Sequence, residues 1–196
     1  MRVVLLQPPA WRAGPPAGTL AEALAVPRIV FGDLIRAHLA QGTELGIRCA
    51  EAIRSGGPFP DLLATAVARD HLRRAAPAAF LLVGHPLNTA QALALDEVLL
   101  ELGTPLDAAL FLRLSAGETE CRIRRQAACS PWGGGPVLYR REDDSEERVR
   151  GRLRAYEAMV QPVIRHYAAQ GLLATVDAAG THDDIAGRAL GALGRD

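Results

Sequence analysis

Residues 79–112 read A-F-L-L-V-G-H-P-L-N-T-A-Q-A-L-A-L-D-E-V-L-L-E-L-G-T-P-L-D-A-A-L-F-L. Ala79 to Val83 is a short, continuous apolar run of the kind that forms a strand buried on both faces, and Leu106 to Leu112 is another. Between them Ala90 to Leu102 predicts a strongly apolar helix, closed by Gly103. Strand, helix, strand in this order favours a parallel sheet joined by crossover helices.

The flanking sequence repeats the alternation. Arg2 to Leu6, bounded by Pro8 and Pro9, predicts a first buried strand, followed by a loop. From Gly18 the run T-L-A-E-A-L-A predicts a helix, which Pro27 interrupts before a short strand at Arg28 to Val30. Asp33 to Ser55 carries apolar residues at helical spacing and predicts two short helices broken near Gly42; Asp61 to Arg74 resumes the helical period. On the other side, Pro131 and Gly133-Gly134-Gly135 predict a loop or small flap over Ala127 to Pro136. Asp144 to Tyr167 is the longest helical run, Leu172 to Val176 a fifth strand and Asp183 to Leu193 a closing helix. No internal repeat is visible.

A chain of 196 residues, 49% hydrophobic and 22% charged, has the means for one buried core and is expected to be a single domain. Its 22 basic and 22 acidic residues cancel, so no overall field draws it to nucleic acid or an anionic membrane, and any charged ligand must be held locally. All 22 basic residues are arginine, which excludes every mechanism that needs a lysine. Ten arginines fall between Arg113 and Arg154, but seven acidic residues are interspersed among them and dilute any basic stripe. Cys49, Cys121 and Cys129 form no C-x-x-C pair, so neither a zinc knuckle nor a disulfide framework is expected. Without a signal-peptide pattern or an apolar run of membrane-spanning length, a cytoplasmic location is expected.

Five segments in order carry a resemblance: V-V-L-L-Q-P-P at 3–9, G-D-L-I-R-A-H-L-A-Q-G-T-E-L-G at 32–46, F-L-L-V-G-H-P-L-N-T-A-Q-A at 80–92, R-R-E-D-D-S-E-E-R-V-R-G-R-L at 140–153 and T-V-D-A-A-G-T at 175–181. The chain resembles, nearly end to end, the adenylate kinase family of nucleoside monophosphate kinases. The resemblance implies a three-layer α/β/α P-loop kinase-like fold with a five-stranded parallel sheet, a monophosphate-binding flap at about 30–59 and a lid at about 122–142. It also implies phosphoryl transfer from Mg-ATP to AMP by a monomer. The family's zinc-bearing lid needs four ligands and only Cys129 lies in this lid region, so a short lid without zinc is expected.

Phosphoryl transfer is mostly positioning and charge stabilisation, and here the sequence departs from the family. Where the family has the phosphate loop G-P-P-G-x-G-K-G-T, this chain has Q-P-P-A-W-R-A-G-P at 7–15. Gln7, Ala10 and Arg12 stand at three glycine positions, Ala13 at the lysine and Pro15 at the threonine, while Gly14 is retained. Pro15 lacks the N–H and the hydroxyl, and the side chains at 10–12 obstruct backbone approach to a phosphate. Arg12 either lends its guanidinium in place of the lysine or is a solvated residue on a remodelled loop. Trp11 is a candidate to fill the emptied phosphate pocket. The family's D-G-F-P-R, whose acid associates with Mg²⁺ and whose arginine holds the AMP phosphate, is here Val83-Gly84-His85-Pro86-Leu87. His85 is read as structural, with phosphate binding in its protonated form as the alternative.

Other family positions persist. Asp33 and Arg36 on the flap, Gly84, Gln91, Arg122 before the lid, and Arg141, Asp143, Asp144 and Arg152 after it are the candidate nucleotide and phosphoryl contacts that the resemblance implies. Arg36 corresponds to a monophosphate arginine, Gln91 to the base-contacting glutamine, and Arg141 and Arg152 to lid arginines; these two, with Arg12 standing in from a glycine position, are the candidate catalytic cations. Arg141 and Arg152 otherwise belong to a solvated, salt-bridged helix, since Glu146 and Arg150 stand four apart. Phe31 replaces a threonine usually near the monophosphate base, and either stacks on a base or packs between flap and core. The expectation is a degenerate homologue with weak or absent phosphotransfer, retaining a site for AMP or another nucleotide and needing Mg²⁺ with ATP only if active. The alternatives are an active kinase that uses arginines for the lost lysine, and a protein-interaction scaffold.

Overall fold

The computed structural model describes residues 1–8, 15–115 and 146–194. Their strands are β1 (Arg2–Leu6), β2 (Arg28–Val30), β3 (Phe80–Val83), β4 (Ala108–Arg113) and β5 (Leu173–Asp177). Their helices are α1 (Pro15–Leu24), α2 (Phe31–Gln41), α3 (Glu44–Arg54), α4 (Asp61–Ala75), α5 (Thr89–Glu101), α6 (Glu146–Ala169) and α7 (His182–Ala192). The strands form one sheet in the order β2-β3-β1-β4-β5, every neighbouring pair parallel. Val4 of β1 sits in register with Leu82 on one side and Ala109 on the other.

Both faces of this sheet are buried, which is why its strands read as unbroken apolar runs. Side chains alternate along a strand. Val4, Leu6, Phe80, Leu82 and Ala109 therefore face one core, against Leu95 and Leu99 of α5 and Tyr156, Val160 and Tyr167 of α6. Val3, Leu5, Leu81, Val83 and Leu110 face another, against Leu20 of α1 and Ile185 and Ala189 of α7. The result is the expected three-layer α/β/α arrangement.

A third, smaller core lies beyond the β2 edge. There Phe31 of α2, Cys49 of α3 and Leu63, Val67 and Ala68 of α4 pack together. The chain turns sharply between α2 and α3 at Gly42, which has φ +60°, and Thr43 then caps α3 by accepting from the Gly46 N–H at 3.0 Å.

Every element falls within about three residues of where the sequence placed it, and two of the shifts have an evident cause. α1 begins at Pro15 rather than Gly18, because a proline in the first helical turn forfeits only an N–H that has no intrahelical acceptor. β4 begins at Ala108 rather than Leu106, because Asp107 is occupied with Arg2. The Asp107 carboxylate accepts from the Arg2 backbone N–H at 2.6 Å and from its guanidinium at 2.8 and 3.1 Å. Residues 30–59, expected as the monophosphate flap, are described, while residues 122–142, expected as the lid, and residues 9–14 of the phosphate-loop run lie outside the described residues.

Candidate functional site

The strand order determines where a ligand site can form. From β1 the chain leaves to α1 on one face of the sheet, and from the adjacent β3 it leaves to α5 on the other. Connections that part in this way open a crevice beyond the carboxyl ends of the strands. Gly84, directly after β3, has φ +83°, a left-handed conformation that favours glycine, whereas an added Cβ would find only ordinary contact with Phe31 at 3.8 Å.

A cavity of 690 Å³ opens beside Gly84. Its walls come from α2 (Phe31, Ile35, Arg36), the end of α3 (Ile53), the turn into α4 (Phe59, Asp61), the start of α5 (Leu87, Gln91) and Met159 of α6. The size suits a small organic ligand, and an apolar wall with a few polar groups is the usual composition of such sites. Phe31 and Phe59 meet edge to face, 6.4 Å between centroids at 85°. On its other contact Phe31 lies against His85, 4.9 Å between centroids at 21°.

Three polar side chains organise the floor. Asp61 Oδ1 accepts from Asn88 Nδ2 and from Gln91 Nε2, both at 2.8 Å, tying the start of α4 to the start of α5. Gln91 Oε1 accepts the Leu87 N–H at 2.8 Å, and Asn88 caps α5 by accepting the Gln91 N–H at 2.9 Å. Gln91 thus lines the cavity, and both ends of its amide are engaged with protein. Neither Asp61 nor Asn88 was singled out from the sequence. The pattern Asn88-x-x-Gln91 was the available signal, since a capping residue followed three positions later by glutamine marks a helix start.

The other candidates are placed as follows. Arg36 lines the cavity and is ion-paired with Asp33 one turn back on α2. Leu87 lines the cavity at 39% exposure, and Val83, in the centre of the sheet edge of the site, is 1% exposed. His85 is 2% exposed, and neither ring nitrogen has a hydrogen-bond partner among the described residues. Burial pushes its pKa down to about 4 against the opposing pull of Asp61, so the ring is neutral near pH 7. Arg152 falls in α6; Arg12, Arg122, Arg141, Asp143 and Asp144 lie outside the described residues, as does Cys129.

A second cavity of 470 Å³ lies between Pro8, the end of β4 and α6, with Arg113, Arg154 and Glu157 in its wall. Tyr156 also lines it, and burial raises the pKa of its phenol. Among the described residues no group of three or more His, Cys, Asp or Glu is arranged to hold a metal ion, and no helix is long and apolar enough to cross a membrane. Val83 offers no oxygen where the family motif has the acid associated with Mg²⁺, so that position does not fit the ion.

Comparison with known proteins agrees with this architecture. The family model described as adenylate kinase matches residues 5–172. Adenylate kinase of Streptomyces coelicolor is 40% identical, with all of both chains covered. Adenylate kinases of Mycolicibacterium vanbaalenii and Xanthomonas campestris pv. campestris are 39% and 38% identical over 196 residues, again across the whole of each chain. With the parallel five-stranded sheet and the cavity beyond Gly84, these matches establish that the chain belongs to the adenylate kinase family.

Proposed function

We infer that this chain keeps the family's acceptor-nucleotide cavity while transferring phosphoryl groups between ATP and AMP very weakly or not at all. The observation that carries the reading is Leu87 in the cavity wall. It stands at the motif position where the family has an arginine for the AMP phosphate, and an apolar side chain cannot stabilise that charge. Val83 removes the Mg-associated acid in the same motif, and the 7–15 run removes the lysine and most glycines of the phosphate loop. Removing a single preorganised charge-stabilising donor costs about 10²–10³ in rate, and these losses touch separate parts of the reaction. We place the protein as a cytoplasmic monomer of one domain, with 30–59 as the monophosphate flap and 122–142 as a short lid without zinc. No nucleic acid or membrane partner is proposed.

A second reading has support in the 38–40% identity to proteins named adenylate kinase. In it Arg12, Arg122, Arg141 and Arg152 together replace the lost lysine, and Mg-dependent turnover persists. Steady-state ADP formation from AMP and Mg-ATP separates the two, with an identically prepared Arg152→Ala variant correcting for host kinase. Equal background rates support the first reading; activity well above the variant supports the second.

A further inference from the structure

Arg36 reaches the wall of the 690 Å³ cavity from α2, and its guanidinium is held by a carboxylate of the same helix. A Cβ placed on Gly32, also in the wall, would stand 3.8 Å from Arg36 Nη1, so the arginine folds back over the first turn of α2. There it meets Asp33 Oδ1. Residues three apart share a helix face, and a carboxylate in the first turn is favoured by the helix dipole. Both features keep the Asp33 carboxylate beside Arg36.

The pair is open to water: the Arg36 side chain is 36% exposed and that of Asp33 54%. Exposed pairs of this kind are weak, shifting an equilibrium by a factor of about five at most. A phosphate offers a guanidinium two parallel charge-assisted hydrogen bonds, which belong to the stronger class. A phosphate-bearing ligand in the cavity can therefore draw Arg36 away from Asp33 with little loss. An uncharged ligand leaves the pair as it is.

We propose that Asp33 is an internal competitor for Arg36: an anionic ligand enters by partner exchange on that guanidinium, and Asp33 sets how strongly the cavity favours the anion over its uncharged counterpart. The proposal rests on the reading of the cavity as the family's acceptor site. The resemblance counts Asp33 among the nucleotide contacts, whereas here it opposes the ligand's charge instead of binding it. Cations supplied from elsewhere in the chain raise the affinity for the anion but leave this competition in place, because it concerns Arg36 alone.

Calorimetric titration of the full chain with AMP and with adenosine tests this. Asp33→Asn is expected to tighten AMP by about three- to fivefold and to leave adenosine within about twofold. In the Arg36→Ala background the same substitution is expected to change neither, since a double-mutant cycle isolates what the two residues share. AMP affinity unchanged or lowered in folded Asp33→Asn overturns the proposal and leaves the acceptor-site reading standing. So does an effect that is equal for AMP and adenosine, or one that survives in Arg36→Ala. Failure of AMP to bind both the unaltered protein and Asp33→Asn overturns the acceptor-site reading and the proposal with it. Should Asp33→Asn not fold, Asp33→Ser, which keeps a polar side chain in the first turn, carries the same expectations.

Discussion

His85 and Phe31 form a stacked pair, 4.9 Å between ring centroids, in which the imidazole contributes a face but neither nitrogen finds a hydrogen-bond partner among the described residues. His85→Phe keeps an aromatic face and removes two orphaned polar atoms, so it is expected to raise stability at pH 7 by about 1 kcal/mol or more. The pH dependence has a definite sign. The folded-state pKa is lowered to about 4 from 6.5, so the unfolded chain takes up the proton first on acidification. The stability due to neutral burial is complete above pH 6.5 and is lost as the pH falls toward 4, a contribution on the order of 3 kcal/mol. Urea unfolding across this window should show a steeper decline for the unaltered protein than for His85→Phe.

Asp107 and Arg2 provide a second titration at lower pH. The Arg2 guanidinium holds the Asp107 carboxyl below the usual carboxylate range. That stability is present above the unfolded carboxylate pKa and disappears as the pH falls through the depressed one. Asp107→Asn should cost about 1 kcal/mol at pH 7, the pair being partly exposed, and almost nothing near pH 2. A matched pair of unfolding curves at the two pH values tests this.

Gly46 tests the close approach of α3 to α2. A Cβ there would collide with the backbone carbonyl of His38, which no rotamer change can relieve. Gly46→Ala should therefore destabilise by about 1–3 kcal/mol, despite the better helix propensity of alanine. Hydrogen exchange should show the loss first in α2 and α3.

Rebuilding the phosphate loop addresses the chemistry. Gln7→Gly, Ala10→Gly, Trp11→Ala, Arg12→Gly, Ala13→Lys and Pro15→Thr, made together, should tighten ATP binding at least tenfold if the rest of the donor site persists. A folded variant with unchanged ATP affinity would show that more than the loop has been lost.

The sheet was legible because it is buried on both faces: Val3 to Leu6 and Phe80 to Val83 are at most 2% exposed, and nothing polar interrupts them. The start of α1 was misplaced because Pro15-Pro16 reads as a breaker until it is seen to occupy a first turn. The floor of the site was harder. Asp61 and Asn88 are 27 residues apart, and their bond exists only because two helix starts converge after the chain has crossed the sheet. Gln91 was found by resemblance, yet the direction of its amide follows from the Leu87 N–H and from the carboxylate of Asp61, which the motif did not include. The Asp33–Arg36 spacing was visible, but that the arginine is satisfied within its own helix is a matter of side-chain direction.

β1 is hydrogen-bonded to a strand on each side, and it ends just where the altered phosphate-loop run begins. The apolar register that organises the sheet and the residues that would handle phosphate thus occupy successive stretches of chain with no side chains in common. Single substitutions along the 7–15 run therefore need not cost the sheet its register.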